Sequence, residues 1–148
     1  MAHAGTLRVC VAPESQVNKD IRNGIRQELS LYETWLGSKI EFSCEAAGAV
    51  SVLVTGRAGW GMQPDALGAT RVAGGFVQPE IVIFRDAIRN MLPVEMRLEG
   101  NEVRAMARVI AHELRHFLSG TGSHQVNGVD DEQLSAGHLL SRPPRIRK

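Results

Sequence analysis

The stretch VRAMARVIAHELRHF, residues Val103 to Phe117, decides how this chain is expected to fold. At about 100° per residue, one group of its residues lies within about 60° of Val103 and forms a narrow apolar stripe, typical of a helix that faces a core. The members are Val103, Met106, Ala107, Ile110, Leu114 and Phe117. On the same scale His112 and His116 lie on the opposite side, near about 180° and 220°, and Glu113 lies on the flank near about 280°. The pattern predicts a helix over residues 102–118 that buries one face and presents both histidines on the other.

The two histidines are spaced for a shared metal ion. His112 and His116 are four residues apart, so their imidazoles lie about one helical turn apart on the same face and can reach one ion. Glu113 is turned about 100° from His112, where it could accept a proton from metal-bound water instead of binding the metal. The motif therefore predicts a zinc site, with one Zn²⁺ per chain and Glu113 as the catalytic base. The alternative is a surface helix with two solvated histidines.

A third ligand is expected shortly after the helix. Gly120 follows the last apolar turn and suits a helix end, where a positive φ is needed. The turn around Gly122 could then bring His124 back toward the histidine face, so His124 is the favoured third metal ligand. Other candidates are Asp130, Asp131, Glu132 and His138.

At these residues the chain resembles the metzincin-type zinc metallopeptidases, and more closely their small bacterial relatives, in which the third histidine lies slightly further along. The resemblance implies a zincin-like fold and a three-histidine zinc site, mapped here to His112, His116 and His124, with Glu113 as general base. The chain departs from the family pattern in two respects. The usual spacing would put the third histidine at Gly122, and no methionine follows Met106, so the methionine-containing turn of the family is missing.

The amino-acid composition is typical of an ordinary globular protein. A length of 148 residues predicts a single domain over residues 1–148, with the basic tail 142–148 expected to be flexible. The net charge of +1 provides no global field for nucleic acid or an anionic membrane. No apolar stretch approaches the roughly 20 residues of a membrane span. We therefore expect no nucleic-acid or membrane partner, and a monomer. The start of the chain lacks a signal-peptide pattern, which predicts a cytoplasmic location unless a signal has been removed.

The segments before the metal helix predict an α/β (α+β) fold: a small twisted mixed sheet of about four strands with a long backing helix. Strands are expected at residues 6–12, 39–45, 50–55 and 81–84, and Ser15 is a plausible cap for a helix that runs from Val17 to Gly37. Strand, helix, strand suggests a right-handed βαβ unit with a parallel pair. Residues 56–79 are rich in glycine and show no clear period, so this segment is expected to wall a substrate cleft or to be a surface loop.

Two further expectations concern individual strands. Because Pro79 precedes residues 81–84, that strand could lie at a sheet edge, where an extended peptide would pair with it. The substrate-binding residues predicted on this basis are Ile81, Val82, Ile83 and Phe84. Strand alternation puts Cys10 and Cys44 on opposite faces of the sheet, which favours free thiols.

Together these observations predict a zinc metallopeptidase that hydrolyses peptide or protein substrates with water activated by Glu113. The alternatives are a non-catalytic zinc-binding interaction domain, and a metal-dependent hydrolase with a substrate other than a peptide.

Overall fold

The computed structural model describes residues 5–13, 15, 17–56, 66–119 and 139–141. Along the chain the elements are β1 (Thr6–Val11), α1 (Lys19–Ser30), α2 (Glu33–Leu36), β2 (Lys39–Phe42), β3 (Val50–Thr55), β4 (Gly68–Ala73), β5 (Phe76–Phe84), α3 (Arg85–Met91), a 3₁₀ turn (Val94–Met96) and α4 (Glu99–Ser119). This is the mixed α/β architecture expected from the sequence.

The strands form one sheet in the order β2-β1-β3-β5-β4. β1, β2, β3 and β5 are parallel, and β4 runs antiparallel to β5. The parallel pairing of β1 with β2 confirms the expected strand–helix–strand unit. Alternate residues of the central strands, such as Val9, Val52 and Ile83, are fully buried and form the core with α1 and α4. The sheet therefore carries its core on the face that α1 and α4 cover.

The glycine-rich segment contains regular structure that its composition did not indicate. β4 and the first half of β5 form a hairpin around Gly74 and Gly75, both at positive φ, within the range expected to lack a period. The sheet consequently has five strands where about four were predicted. Residues 57–65 of the same glycine-rich segment lie outside the described residues.

The hairpin also corrects the prediction of an edge strand at residues 81–84. β4 occupies the edge, and β5 lies between β3 and β4, so Ile81, Val82 and Ile83 already pair on both sides. Phe84 pairs with β3, and on the other side its backbone N–H donates to the carbonyl oxygen of Leu67. Of the four residues 81–84, three are buried and Val82 is half-buried. Pro79 lies before the pairing with β3 begins at Glu80 and opposite the irregular register of β4, so its missing N–H removes no regular ladder bond.

The helix α4, which carries His112 and His116, is more deeply buried than its apolar stripe suggested. The prediction gave it one buried face, whereas residues on every side of its central turns are buried, including Ala105, Val109 and Ala111. It packs against α1 on one side and against β4 and β5 on another. The two histidines are therefore enclosed by the fold, which excludes the alternative of a surface helix with solvated histidines.

The long helix predicted from Val17 to Gly37 is divided into two. α1 ends at Ser30, and α2 ends at Leu36, capped by Gly37, whose φ of 72° is the left-handed conformation expected of a glycine stop. The N-cap of α1 is Asn18, whose side chain accepts a hydrogen bond from the backbone of Ile21. Ser15, the predicted cap, instead accepts a hydrogen bond from the Val54 backbone N–H at 3.0 Å.

Cys10 and Cys44 form a disulfide, which overturns the prediction of free thiols. The alternation argument assumed a second strand reaching residue 45, but β2 ends at Phe42. Cys44 therefore belongs to the turn that follows, and the two Cα atoms lie 4.6 Å apart. Face alternation holds only while a chain is extended, so it could not determine where this sulfur points.

Among the helices that the structure describes, none combines the length and apolar character needed to cross a membrane.

Candidate metal centre

Three side chains of α4 converge at one point of the structure. The ligand-type atoms of His112, Glu113 and His116 all lie within 4.8 Å of one another, and all three residues are buried. The helical period accounts for this arrangement, because Glu113 and His112 lie three and four positions before His116, and residues at these spacings are neighbours on the surface of a helix. The described structure thus contains a group that can hold a metal ion, at the residues that the sequence singled out.

The spacing of the two histidines fits one ion. Their Nε2 atoms are 3.3 Å apart, and the rings meet edge to face with centroids at 4.9 Å. Two nitrogens bound to Zn²⁺ at about 2.0–2.1 Å with tetrahedral angles are separated by about 3.3–3.4 Å. The two rings are therefore already at the separation that a shared ion requires. One ring can also donate a hydrogen bond to the other at this distance, when the tautomers allow it.

Glu113 lies beside this pair with its two carboxylate oxygens in different surroundings. Oε2 is 3.8 Å from Nε2 of His112. Oε1 accepts a hydrogen bond from the Thr70 hydroxyl at 2.8 Å. One oxygen thus faces the histidine nitrogens while the other contacts β4. A carboxylate in this position can serve as a proton acceptor next to the ion, or as a further ligand.

Thr70 is the residue of this site that the sequence did not reveal. It lies 43 positions before Glu113, inside the glycine-rich segment, and belongs to no motif. Its hydroxyl also lies 3.1 Å from the backbone carbonyl oxygen of Glu113. Only the pairing of β4 with β5, and the packing of β4 on α4, brings the two residues together.

A glycine permits that close approach. A Cβ atom on Gly68 would lie 2.9 Å from Cγ1 of Val109 and 3.0 Å from the carbonyl oxygen of Val82. Both distances are too short for a carbon atom, so a larger residue would force β4 away from α4 or from β5. Gly68 and Thr70 are two positions apart on β4 and thus share one face of the strand. The missing side chain at Gly68 allows the hydroxyl of Thr70 to reach Glu113.

Not every predicted site residue is among those described. His124, the favoured third ligand, lies outside the described residues, as do the competing Asp130, Asp131, Glu132 and His138. Among the described residues, the group that could hold the ion consists of His112, Glu113 and His116. The identity of the metal and of its third protein ligand remain predictions.

No family model, no curated protein and no solved structure matches this chain. The resemblance to metzincin-type peptidases rests on the motif itself, and what the structure adds is the buried His112–Glu113–His116 group.

Proposed function

We propose that the protein is a zinc-dependent metallopeptidase in which His112, His116 and His124 hold the ion and Glu113 is the general base. The observation that carries the proposal is the pair of imidazole nitrogens 3.3 Å apart, with a carboxylate oxygen 3.8 Å from one of them. Two histidines and a third nitrogen ligand favour Zn²⁺ over the hard cations, which prefer oxygen donors. When bound, the ion would supply a Lewis acid that polarises a carbonyl group and makes water more acidic.

The chain's own residues account for the remaining requirements. Glu113 is a carboxylate next to the histidines, positioned to accept a proton from an attacking water and to deliver it to the leaving amine. Burial of all three side chains lowers the local dielectric and strengthens each charge interaction in the site.

The edge strand supports a peptide substrate. β4 contacts α4 through Thr70 and Glu113, and its outer edge has no partner strand among the described residues. Unpaired backbone groups on an edge strand can bind an extended peptide by strand addition. The role first assigned to residues 81–84 thus belongs, in this proposal, to residues 68–73.

The decisive experiment combines metal content with hydrolysis. We expect one zinc per chain by elemental analysis, and cleavage of a proteome-derived peptide library that a chelator abolishes and added zinc restores. His116→Ala and His124→Ala should both lose or strongly weaken zinc binding. Zinc bound at full stoichiometry without any cleavage would instead indicate a non-catalytic zinc-binding domain, and no bound zinc would refute the proposal.

The Glu113→Gln variant tests the role of Glu113 as general base separately from zinc binding. The amide keeps the shape of the side chain but cannot accept the proton, so cleavage should fall by about 10²–10⁴-fold while zinc content stays at one per chain. Glu99→Gln is the matched control, since Glu99 is an exposed residue of the same helix, in its first turn. Full activity in Glu113→Gln would exclude Glu113 as the base.

A further inference from the structure

We infer that Thr70 is a positioning residue that holds the Glu113 carboxylate in its working orientation. The inference rests on the proposed function, and it assigns to the edge strand a part in catalysis beyond contact with the substrate. Thr70 donates to Oε1 of Glu113 at 2.8 Å, while Oε2 of the same carboxylate lies near the histidine nitrogens.

The hydroxyl group has one hydrogen to donate and two acceptors within reach. The carboxylate oxygen is at 2.8 Å and the Glu113 carbonyl oxygen at 3.1 Å. A hydrogen bond to a charged acceptor is shorter and roughly twice as strong as one to a neutral acceptor. The carbonyl oxygen also already accepts the helical bond from the residue four positions later, as expected within α4. The carboxylate is therefore the preferred partner of the Thr70 hydroxyl.

The hydrogen bond from Thr70 restricts the terminal side-chain torsion of Glu113, which would otherwise be weakly fixed. The terminal torsion of a glutamate has a broad, roughly two-fold distribution, so a carboxylate without a fixed partner samples many orientations. Engaging Oε1 with Thr70 leaves Oε2 as the oxygen that faces His112 and His116. A proton acceptor that is already oriented avoids reorganisation during the reaction, which is how positioning groups contribute to rate.

The backbone of β4 is irregular next to Thr70, which helps to direct the Thr70 hydroxyl toward Glu113. The register between β4 and β5 shifts between Thr70 and Val72, a β-bulge or similar irregularity. Bulges bend a strand and redirect a side chain, and they are common near active sites. Thr70 is the last regularly paired residue before the shift, opposite Ile81. Gly68, which permits β4 to lie close to α4, is on the same face of β4 as Thr70.

The test compares Thr70→Val with Thr70→Ser in the zinc-loaded full chain. Valine keeps the shape but lacks the hydroxyl, whereas serine keeps the hydroxyl. We expect Thr70→Val to lower kcat about tenfold or more with KM and zinc content unchanged, and Thr70→Ser to retain kcat within about threefold. Thr6→Val, an exposed threonine on β1, should change neither constant. The positioning role is overturned if Thr70→Val keeps its kcat, or if Thr70→Ser loses as much as Thr70→Val.

A second measurement does not depend on peptidase activity. A double-mutant cycle of Thr70→Val and Glu113→Met, whose side chain has a similar shape but no oxygen to accept the hydrogen bond, is measured by chemical denaturation of the metal-free protein. We expect the effects of the two substitutions on the folding equilibrium constant to be non-additive by roughly fivefold or more, because both remove the same hydrogen bond. Additive effects would overturn the contact itself. Coupling in a protein that cleaves no peptide would preserve the Thr70–Glu113 contact and reject only the proposed function.

Discussion

At the scale of single residues, the least expected feature is a buried arginine one turn before the first histidine. Arg108 is fully buried on α4, and its Nη1 donates to the Ser141 hydroxyl at 3.2 Å. It also forms a hydrogen bond with the hydroxyl of Tyr32, which is buried as well. Burial raises the pKa of Tyr32, and the hydrogen bond and charge of Arg108 partly oppose that rise. Tyr32 thus belongs to the core, as the sequence predicted.

Replacing Tyr32 by phenylalanine should therefore weaken the fold and leave the metal centre intact. The variant removes one acceptor from a buried guanidinium, so we expect a loss of about 2 kcal/mol in the free energy of unfolding at neutral pH. Urea denaturation measures the loss, and elemental analysis should still find the wild-type zinc content. An unchanged stability would show that Arg108 does not depend on this hydroxyl.

The raised pKa of Tyr32 also predicts how the free energy of unfolding depends on pH. Because the folded-state pKa of Tyr32 is raised above its unfolded value, the folded protein holds the phenolic proton more tightly. This contribution is complete below about pH 10 and is lost as the pH rises through the folded-state pKa. Tyr32 is the only tyrosine of the chain, so an ultraviolet titration reports this one group. The alkaline loss of stability due to Tyr32 should be absent in Tyr32→Phe, and an ordinary pKa in the titration would contradict the expectation.

At the scale of elements, the packing of β4 against α4 brings Thr70 into contact with Glu113. Gly68→Ala should lower the free energy of unfolding by about 1–3 kcal/mol, because the new Cβ meets Val109 and the carbonyl oxygen of Val82. Moving β4 outward would also separate Thr70 from Glu113, so hydrolysis should fall while zinc content stays unchanged.

Gly100→Ala is the matched control for that substitution. Gly100 lies in the first turn of α4, and a Cβ there would meet no atom within 4 Å. Alanine favours a helix over glycine by up to about 1 kcal/mol, so this variant should be as stable as the parent or more so. If Gly68→Ala behaves like Gly100→Ala, the close packing of β4 on α4 is not what completes the site.

At the scale of the whole molecule, the disulfide between Cys10 and Cys44 links β1 to the turn that follows β2. It encloses a segment with a sequence separation of 34 residues, which contains α1 and α2. Cross-links over loops of this size stabilise a fold by about 2–4 kcal/mol. Disulfides persist mainly in oxidising compartments, so the bond favours such a compartment among the two locations that the sequence left open.

The double variant Cys10→Ala with Cys44→Ala should therefore lose about 2–4 kcal/mol in the free energy of unfolding. Cys10 alternates with Val9 and Val11, which face the core under α4, so the disulfide lies on the other face of the sheet. We accordingly expect zinc content to stay unchanged. Wild-type protein treated with a reductant should match the variant, and insensitivity of its stability to the reductant would argue against the bond.

The sequence by itself determined what depends on local periodicity. The helix of His112 and His116, the strand–helix–strand unit and the Gly37 stop all follow from spacing and from the conformational preferences of single residues. Only the tertiary structure decided what depends on contacts between distant segments. β4 formed because β5 offered it an edge to pair with, Thr70 met Glu113 across 43 residues, and Cys44 reached Cys10 because β2 ended early. Such contacts leave no period in the chain, because their energy depends on which surfaces meet after folding.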